Sequence, residues 1–254
     1  VAEGDTILRA ARRLEAALAG QSLSASAPNP RGKSIGIERL DGRALERADA
    51  HGKHLLLHFG ELVLHSHLGM SGSWHTYRSG EPWRKPVGAA WAVLSTDRDE
   101  AVQFGGPTLR LLRAESVRRD PVLARLGPDI LAPDLDAELI GQSLAAVPNR
   151  GLGDVLLDQH LVAGIGNIFK SEACFAARLD PWQRVADVPV EQLRHLVQVA
   201  HELMHDAVER GRQDRAVYKR AGRPCPRCGT KIRSRGQGDA NRTTYWCPTC
   251  QLSR

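Results

Sequence analysis

The chain has 254 residues, 42% of them hydrophobic and 25% charged, and a formal net charge of +6. These are the proportions of an ordinary globular protein with room for two medium domains and a small appendage. No run of eighteen apolar residues offers a membrane span, and the opening Val1-Ala-Glu-Gly-Asp5 has neither the basic start nor the apolar stretch of a secretory signal.

A first helix is expected over Thr6–Ala19, with Asp5 as its cap and Gly20 as its stop; Ile7, Ala11, Leu14 and Leu18 form its buried stripe. From about Lys33 to Arg113 short alternating runs follow, such as His54–Phe59, Leu62–His67 and Trp91–Ser95, which read as an antiparallel sandwich or barrel. Residues 78–87 form a loop. After Asp120 the chain turns helical: a segment over 121–126, a helix over 151–158, a second over 167–177 capped by Asn167, and a longer one over 190–210 ended by Gly211. That last helix should bury Leu193, Leu196, Val197, Ala200 and Leu203.

The most specific pattern is C-terminal. Cys225-Pro-Arg-Cys228 and Cys247-Pro-Thr-Cys250 are two knuckles eighteen residues apart, a spacing that cages one structural zinc ion. Iron in the same cage, a redox pair or disulfides are the alternatives; two knuckles rather than one argue against the redox reading. Cys174 reads as a small buried hydrophobe, and a reduced cytoplasm fits this cysteine usage. From Arg212 to the end, eleven Lys or Arg face two Asp, so the rest of the chain is slightly acidic. That asymmetry points to a polyanion, nucleic acid first, met by the C-terminal end.

Three further elements carry weaker signals. Gly164-Ile-Gly166-Asn167 at a helix start offers unpaired N–H groups, for which phosphate is the natural guest. Gly52-Lys53 stands at a hairpin turn beside His51, His54, His65 and His67; of these His65 and His67 share one face of a strand but lack a third convergent ligand for a second metal. An N-terminus opening on Ala2-Glu3 would place a primary amine beside a carboxylate, and an amine of pKa about 8 can form a Schiff base.

Together these elements resemble the formamidopyrimidine-DNA glycosylase and endonuclease VIII family of base-excision repair enzymes, over essentially the whole chain. The matches are Glu3-Gly-Asp-Thr6, Gly52-Lys-His-Leu55, His67-Leu-Gly-Met70, Leu126-Gly-Pro-Asp129, Leu156-Leu-Asp-Gln159, Ala163-Gly-Ile-Gly-Asn167, Ser171-Glu172, Tyr218 to Gly222, both knuckles, Arg242 and Tyr245-Trp-Cys247. The opening and the ribbon look most like the actinobacterial endonuclease VIII branch. The resemblance implies an α+β protein: an N-terminal antiparallel β-sandwich with flanking helices (1–120), a domain with a helix–two-turn–helix (121–215) and a C-terminal zinc ribbon (216–254).

It further implies a monomeric glycosylase with abasic-site lyase activity, cytoplasmic and associated with the nucleoid. Its partner would be double-stranded DNA carrying damaged bases or abasic sites, cleaved by β/δ-elimination through an N-terminal Schiff base. By position Ala2, Glu3 and Lys53 are the catalytic candidates: Glu3 moves protons at the opening sugar, and Lys53 holds phosphate and sugar oxygen. Asn167 and Arg242 clamp flanking phosphates, Lys170 adds a backbone contact, and Met70 fills the hole left by the flipped nucleotide.

Two departures stand out. The family's N-terminal proline is Ala2 here, preceded by Val1, so the nucleophile is a primary amine that exists only if Val1 is removed; a catalytically silent or lyase-only DNA-binding homologue is the alternative. The lesion-probing stretch Gln103-Phe-Gly-Gly-Pro-Thr-Leu109 lacks the arginine of the guanine-directed branch, which favours oxidised pyrimidines. Phe104 can be read as a substitute for that branch's phenylalanine or as a core residue.

Overall fold

The computed structural model describes residues 2–239 and 241–252, which fall into two units: Ala2 with residues 6–125, and residues 3–5 with 126–252.

The first unit is a β-sandwich. Helix α1 (Gly4–Leu18) contributes it a stripe of Ile7, Ala11, Leu14 and Leu18, each at most 1% exposed. Eight strands follow: β1 (Ser24–Ser26), β2 (Arg47–His51), β3 (His54–Phe59), β4 (Leu62–His67), β5 (Ser73–Arg78), β6 (Ala90–Ser95), β7 (Asp99–Phe104) and β8 (Thr108–Arg113). A short α2 (Pro30–Ile35), capped by the Asn29 side chain on the Arg31 N–H, interrupts them, and α3 (Ala114–Val117) ends the run. The strands form two antiparallel sheets of order β1-β6-β7-β5 and β2-β3-β4-β8.

The alternation of β3 explains the layer. Leu55, Leu57 and Phe59 face the core with their cross-strand partners Ser66, Leu64 and Leu62, and Trp74, Ala92, Leu94 and Ala101 pack into the same cluster. His54, Leu56 and His58 consequently face the other way. Phe104 is a core residue at a strand end, 2% exposed and packed with Tyr77, Val93 and Val102.

The second unit contains α4 (Ala137–Ala145), α5 (Leu152–Val155), α6 (Asn167–Ala176), α7 (Val190–Arg210) and a hairpin of β9 (Arg233–Gln237) and β10 (Arg242–Trp246). α7 packs on α4 and α6 through Leu193, Leu196, Val197, Ala200 and Met204 and stops at Gly211 in the left-handed conformation. Leu203 is only half-buried; Met204 takes the interior position expected of it. No described helix is long and apolar enough to cross a membrane.

Several boundaries differ from the sequence reading. α1 starts at Gly4, so Asp5 lies inside its first turn, where its carboxylate accepts from Gln213 Nε2 at 3.0 Å. Only Leu123–Arg125 is helical in the 121–126 segment, a 3-10 turn; the Asp120 carboxylate ties the Val122 and Leu123 N–H groups and Gly127-Pro128 ends the run. The helix expected over 151–158 is the single turn of α5. The cap of α6 is Gly166, with Asn167 as its first helical residue.

Candidate functional site

The four ribbon cysteines converge. Their Sγ atoms lie within 4.8 Å of one another, with Cys225 to Cys250 at 3.9 Å and Cys228 to Cys247 at 3.5 Å. A tetrahedral zinc site with Zn–S of about 2.3 Å has S···S edges of about 3.8 Å, so the cage fits the ion. The same separations are far longer than a disulfide of about 2.05 Å. Cys225 and Cys247 pack with Val217, Ile232 and Phe175, so the metal site and the end of α6 share one small core. Cys174 is fully buried and apart from this cage, its thiol pushed up to about 12 by burial.

α6 is framed by charge at both ends. At its start the buried Glu3 carboxylate accepts from the N–H groups of Gly166 (3.0 Å), Ile168 (2.7 Å) and Phe169 (3.2 Å). Three donors and the positive end of the helix make this the environment of an anion. A Cβ on residue 166 would stand 2.3 Å from the Glu3 Cδ, which is why glycine occupies that position. The guest expected at this helix start was phosphate; within this chain it is Glu3. At the other end the Arg227 guanidinium donates to the Phe175 carbonyl at 2.6 Å and the Ala176 carbonyl at 3.1 Å, offsetting the negative end.

Asn167 and Arg242 are brought together through the ribbon. Asn167 Nδ2 donates to the Thr243 carbonyl at 2.7 Å, and Arg242, the residue before, opens β10 and is exposed, as are Arg233 and Arg235 on β9. Arg235 lies over the Trp182 ring at 3.9 Å. Lys170 corrects the sequence reading. It is 0% exposed, and its Nζ donates to Thr244 Oγ1 at 2.5 Å, so it ties α6 to β10 and cannot meet a phosphate from this position. Burial holds its ammonium down to about 8.

In the first unit, Lys53 occupies the two-residue turn between β2 and β3, beside Gly52 at φ 57°, a left-handed value that a glycine tolerates. The Met70 side chain is 74% exposed, on the turn that the Gly72 N–H closes on the Leu68 carbonyl at 2.8 Å. Ala2 N lies 3.4 Å from the Gly69 carbonyl, next to that turn. Val1 lies outside the described residues. His54 Nδ1 and His65 Nε2 are 2.8 Å apart, and His54 stacks on His67 with ring centroids at 4.8 Å. Among the described residues these imidazoles form no metal-binding group.

Two residues went unassigned in the sequence reading. The Glu172 carboxylate, 5% exposed, accepts from the N–H groups of Ala216, Val217 and Tyr218 at 2.7–3.0 Å and anchors the entry to the ribbon. Gln159 donates to the Leu157 and Ile165 carbonyls and accepts from Gly164 N–H, bracing the turns before α6. Both stand inside the motifs that carry the resemblance, but their neighbours do not mark them: Gln159 lies between Asp158 and His160, and Glu172 between Ser171 and Ala173.

A sandwich, a helix–two-turn–helix built from α5, the turns of 156–166 and α6, and a zinc ribbon define, in that order, a three-part nucleic-acid-processing architecture. The formamidopyrimidine-DNA glycosylase N-terminal domain profile matches residues 1–109, the formamidopyrimidine-DNA glycosylase H2TH domain residues 126–218, and the zinc finger found in FPG and IleRS residues 222–252. A protein named probable endonuclease 8 2 from Streptomyces coelicolor is 42% identical over 98% of this chain and 93% of its own. The DNA-(apurinic or apyrimidinic site) lyase Nei2 of Mycolicibacterium smegmatis is 35% identical over 99% of each. The Lactococcus lactis formamidopyrimidine DNA glycosylase bound to DNA with an abasic site shares the fold, with a TM-score of 0.85 over 98% of this chain and 99% of that one at 24% identity. This chain belongs to the formamidopyrimidine-DNA glycosylase and endonuclease VIII family, and its four cysteines are the ligands of one structural zinc ion.

Proposed function

We propose that this protein is a DNA glycosylase with abasic-site lyase activity, acting as a monomer on oxidised bases, pyrimidines first, in double-stranded DNA. The observation that carries this reading is Glu3: a buried carboxylate fixed by three N–H donors, next in sequence to the residue whose amine would attack. The Ala2 α-amine, freed by removal of Val1, attacks C1′ of the flipped nucleotide, and the base leaves with the electrons of the glycosidic bond. The amine's proton passes to Glu3, which returns it to the ring oxygen as the sugar opens to an imine. Elimination then breaks the strand. Lys53 holds the phosphate and sugar oxygen. Asn167 and Arg242 clamp flanking phosphates, and Met70, exposed and flexible, fills the vacated stack. The zinc ion, when bound, holds the hairpin that carries Arg242 and takes no part in the reaction.

Three functional parts go with this reading: residues 1–120 for catalysis, 121–215 and 216–254 for gripping DNA. The cytoplasm, at the nucleoid, is its place of action. The absence of an arginine from the Gln103–Leu109 stretch supports the pyrimidine preference.

Borohydride trapping on abasic-site duplex tests the chemistry. A covalent complex whose adduct maps to the Ala2 α-amine is expected, with the mass of the intact N-terminus showing Ala2 first. An adduct on Lys53 would move the nucleophile there. Specific binding of abasic duplex with no trapped complex would favour a catalytically silent homologue, a reading that the replacement of proline by Ala2 motivates. Glu3→Gln should lower base excision by about 10²–10⁴-fold, because an amide cannot carry the proton; full excision by that variant would overturn the assignment.

A further inference from the structure

The sheet β2-β3-β4-β8 carries polar rows on the face opposite its core: His51, His54 and His67 in one, Asp49, Leu56, His65 and Arg110 in the next. Arg110 donates to His65 Nδ1 from Nε at 3.2 Å and from Nη2 at 2.9 Å. Its Nη1 lies 3.0 Å from the Asp120 carboxylate, which in turn is held by the Val122 and Leu123 N–H groups.

A guanidinium has donors only and keeps its proton. His65 Nδ1 therefore carries the lone pair, and the ring's single proton sits on Nε2. That atom faces His54 Nδ1 at 2.8 Å, and the contact accommodates one proton, so His54 Nδ1 is the acceptor. His54 is thus neutral, with its own proton on Nε2. Burial, with neighbouring imidazoles and Arg110 adding to it, holds His54 down to about 3; burial, with Arg110, holds His65 down to about 4. The His54 Nε2–H has no hydrogen-bond partner among the described residues. His54 directly follows Lys53, and its ring stacks on His67, the imidazole whose proton affinity the Lys53 ammonium lowers after burial.

We propose that the Asp120–Arg110–His65 chain locks His54 as the Nε2–H tautomer and that this N–H is a second, uncharged donor to the DNA backbone beside Lys53. The inference rests on the DNA-processing reading for its ligand, while the tautomer lock stands apart from it. A neutral donor differs from a lysine in one measurable respect: it releases no counterion when it binds phosphate.

Two measurements decide it. Imidazole nitrogen spectra of ¹⁵N-labelled protein should show both His54 and His65 as Nε2–H tautomers at about pH 6; His54 found protonated, or as Nδ1–H, overturns the lock. With a duplex carrying a tetrahydrofuran abasic analogue, His54→Phe should weaken binding about three- to tenfold at an unchanged slope of log affinity against log salt. His54→Gln, whose amide keeps a donor near the Nε2 position, should restore affinity to within about twofold. Lys53→Ala should instead lower the slope by about 0.9. Unchanged affinity in His54→Phe, or a reduced slope, overturns the donor alone. Failure of the unaltered protein to bind the duplex overturns the donor and the DNA reading together, with the spectra still deciding the tautomers.

Discussion

Lys53 is carried by strands held through apolar burial, with Leu55, Leu57 and Phe59 facing Leu62, Leu64 and Trp74. Glu3, Asn167 and Arg242 hang instead on a frame of charges: Glu3 on three N–H groups, Glu172 on three more, Arg227 on two carbonyls, and four thiolates on a metal. The difference follows from size. The sandwich encloses a large contiguous core, whereas the ribbon shares a cluster of five buried residues with α6, too few to fix a hairpin without the metal. An apolar frame gives way gradually as methylenes are lost. An ionic one fails in steps, each set by a proton or a metal ion.

The largest expected effect is metal removal. Structural zinc supplies about 10–16 kcal/mol in isolated zinc-finger peptides, so chelation or Cys247→Ser should unfold residues 222–252 and lower affinity for abasic duplex by at least about a hundredfold. Amide spectra of the sandwich residues should stay unchanged; if they collapse with the ribbon, the two frames are one. Next is Leu57→Ala, a cavity in a fully buried position, expected to cost about 2–5 kcal/mol in urea unfolding and to leave zinc content intact. Glu172→Gln places an NH₂ group against N–H donors and should cost about 1–3 kcal/mol, read as faster amide exchange at residues 216–218.

The last effect, read as a pH dependence, concerns Lys170, whose ammonium is lowered from 10.5 to about 8 by burial. Between those values the unfolded chain binds more protons than the folded one, so this side chain's contribution to stability rises with pH. Its penalty is fully present below about pH 8 and gone above about pH 10.5. The stability of the unaltered protein relative to Lys170→Met should therefore improve by on the order of 2 kcal/mol from pH 7 to pH 10. A difference independent of pH would mean that Lys170 stays charged in its buried position.

The zinc knuckles were legible in the sequence, since a metal demands fixed ligand types at fixed spacing, and the convergence of the four Sγ atoms set aside the disulfide alternative. The strands β3 and β4 and the limits of α7 were legible through alternation and a terminal glycine, because local periodicity decides which face is buried. What could not be read was long-range pairing. The amides at 166, 168 and 169 looked open to phosphate because their partner stands 163 residues away from the nearest of them. Lys170 looked like a surface lysine because the residue that covers it, Thr244, lies 74 residues on. The tautomers of His54 and His65 depend on Arg110, two strands from His54.

The hydrogen bonds between Glu3 and the start of α6 also impose an order of events on synthesis. Glu3 finds its place only after residue 169 has left the ribosome. At translation rates of about 5–20 residues per second, that is a delay of roughly ten to thirty seconds. Throughout it Glu3 has no α6 to dock on, and closing so long a loop adds an entropic cost that only the assembled helix start repays. Until then the segment around Glu3 waits for the helix start that receives its carboxylate.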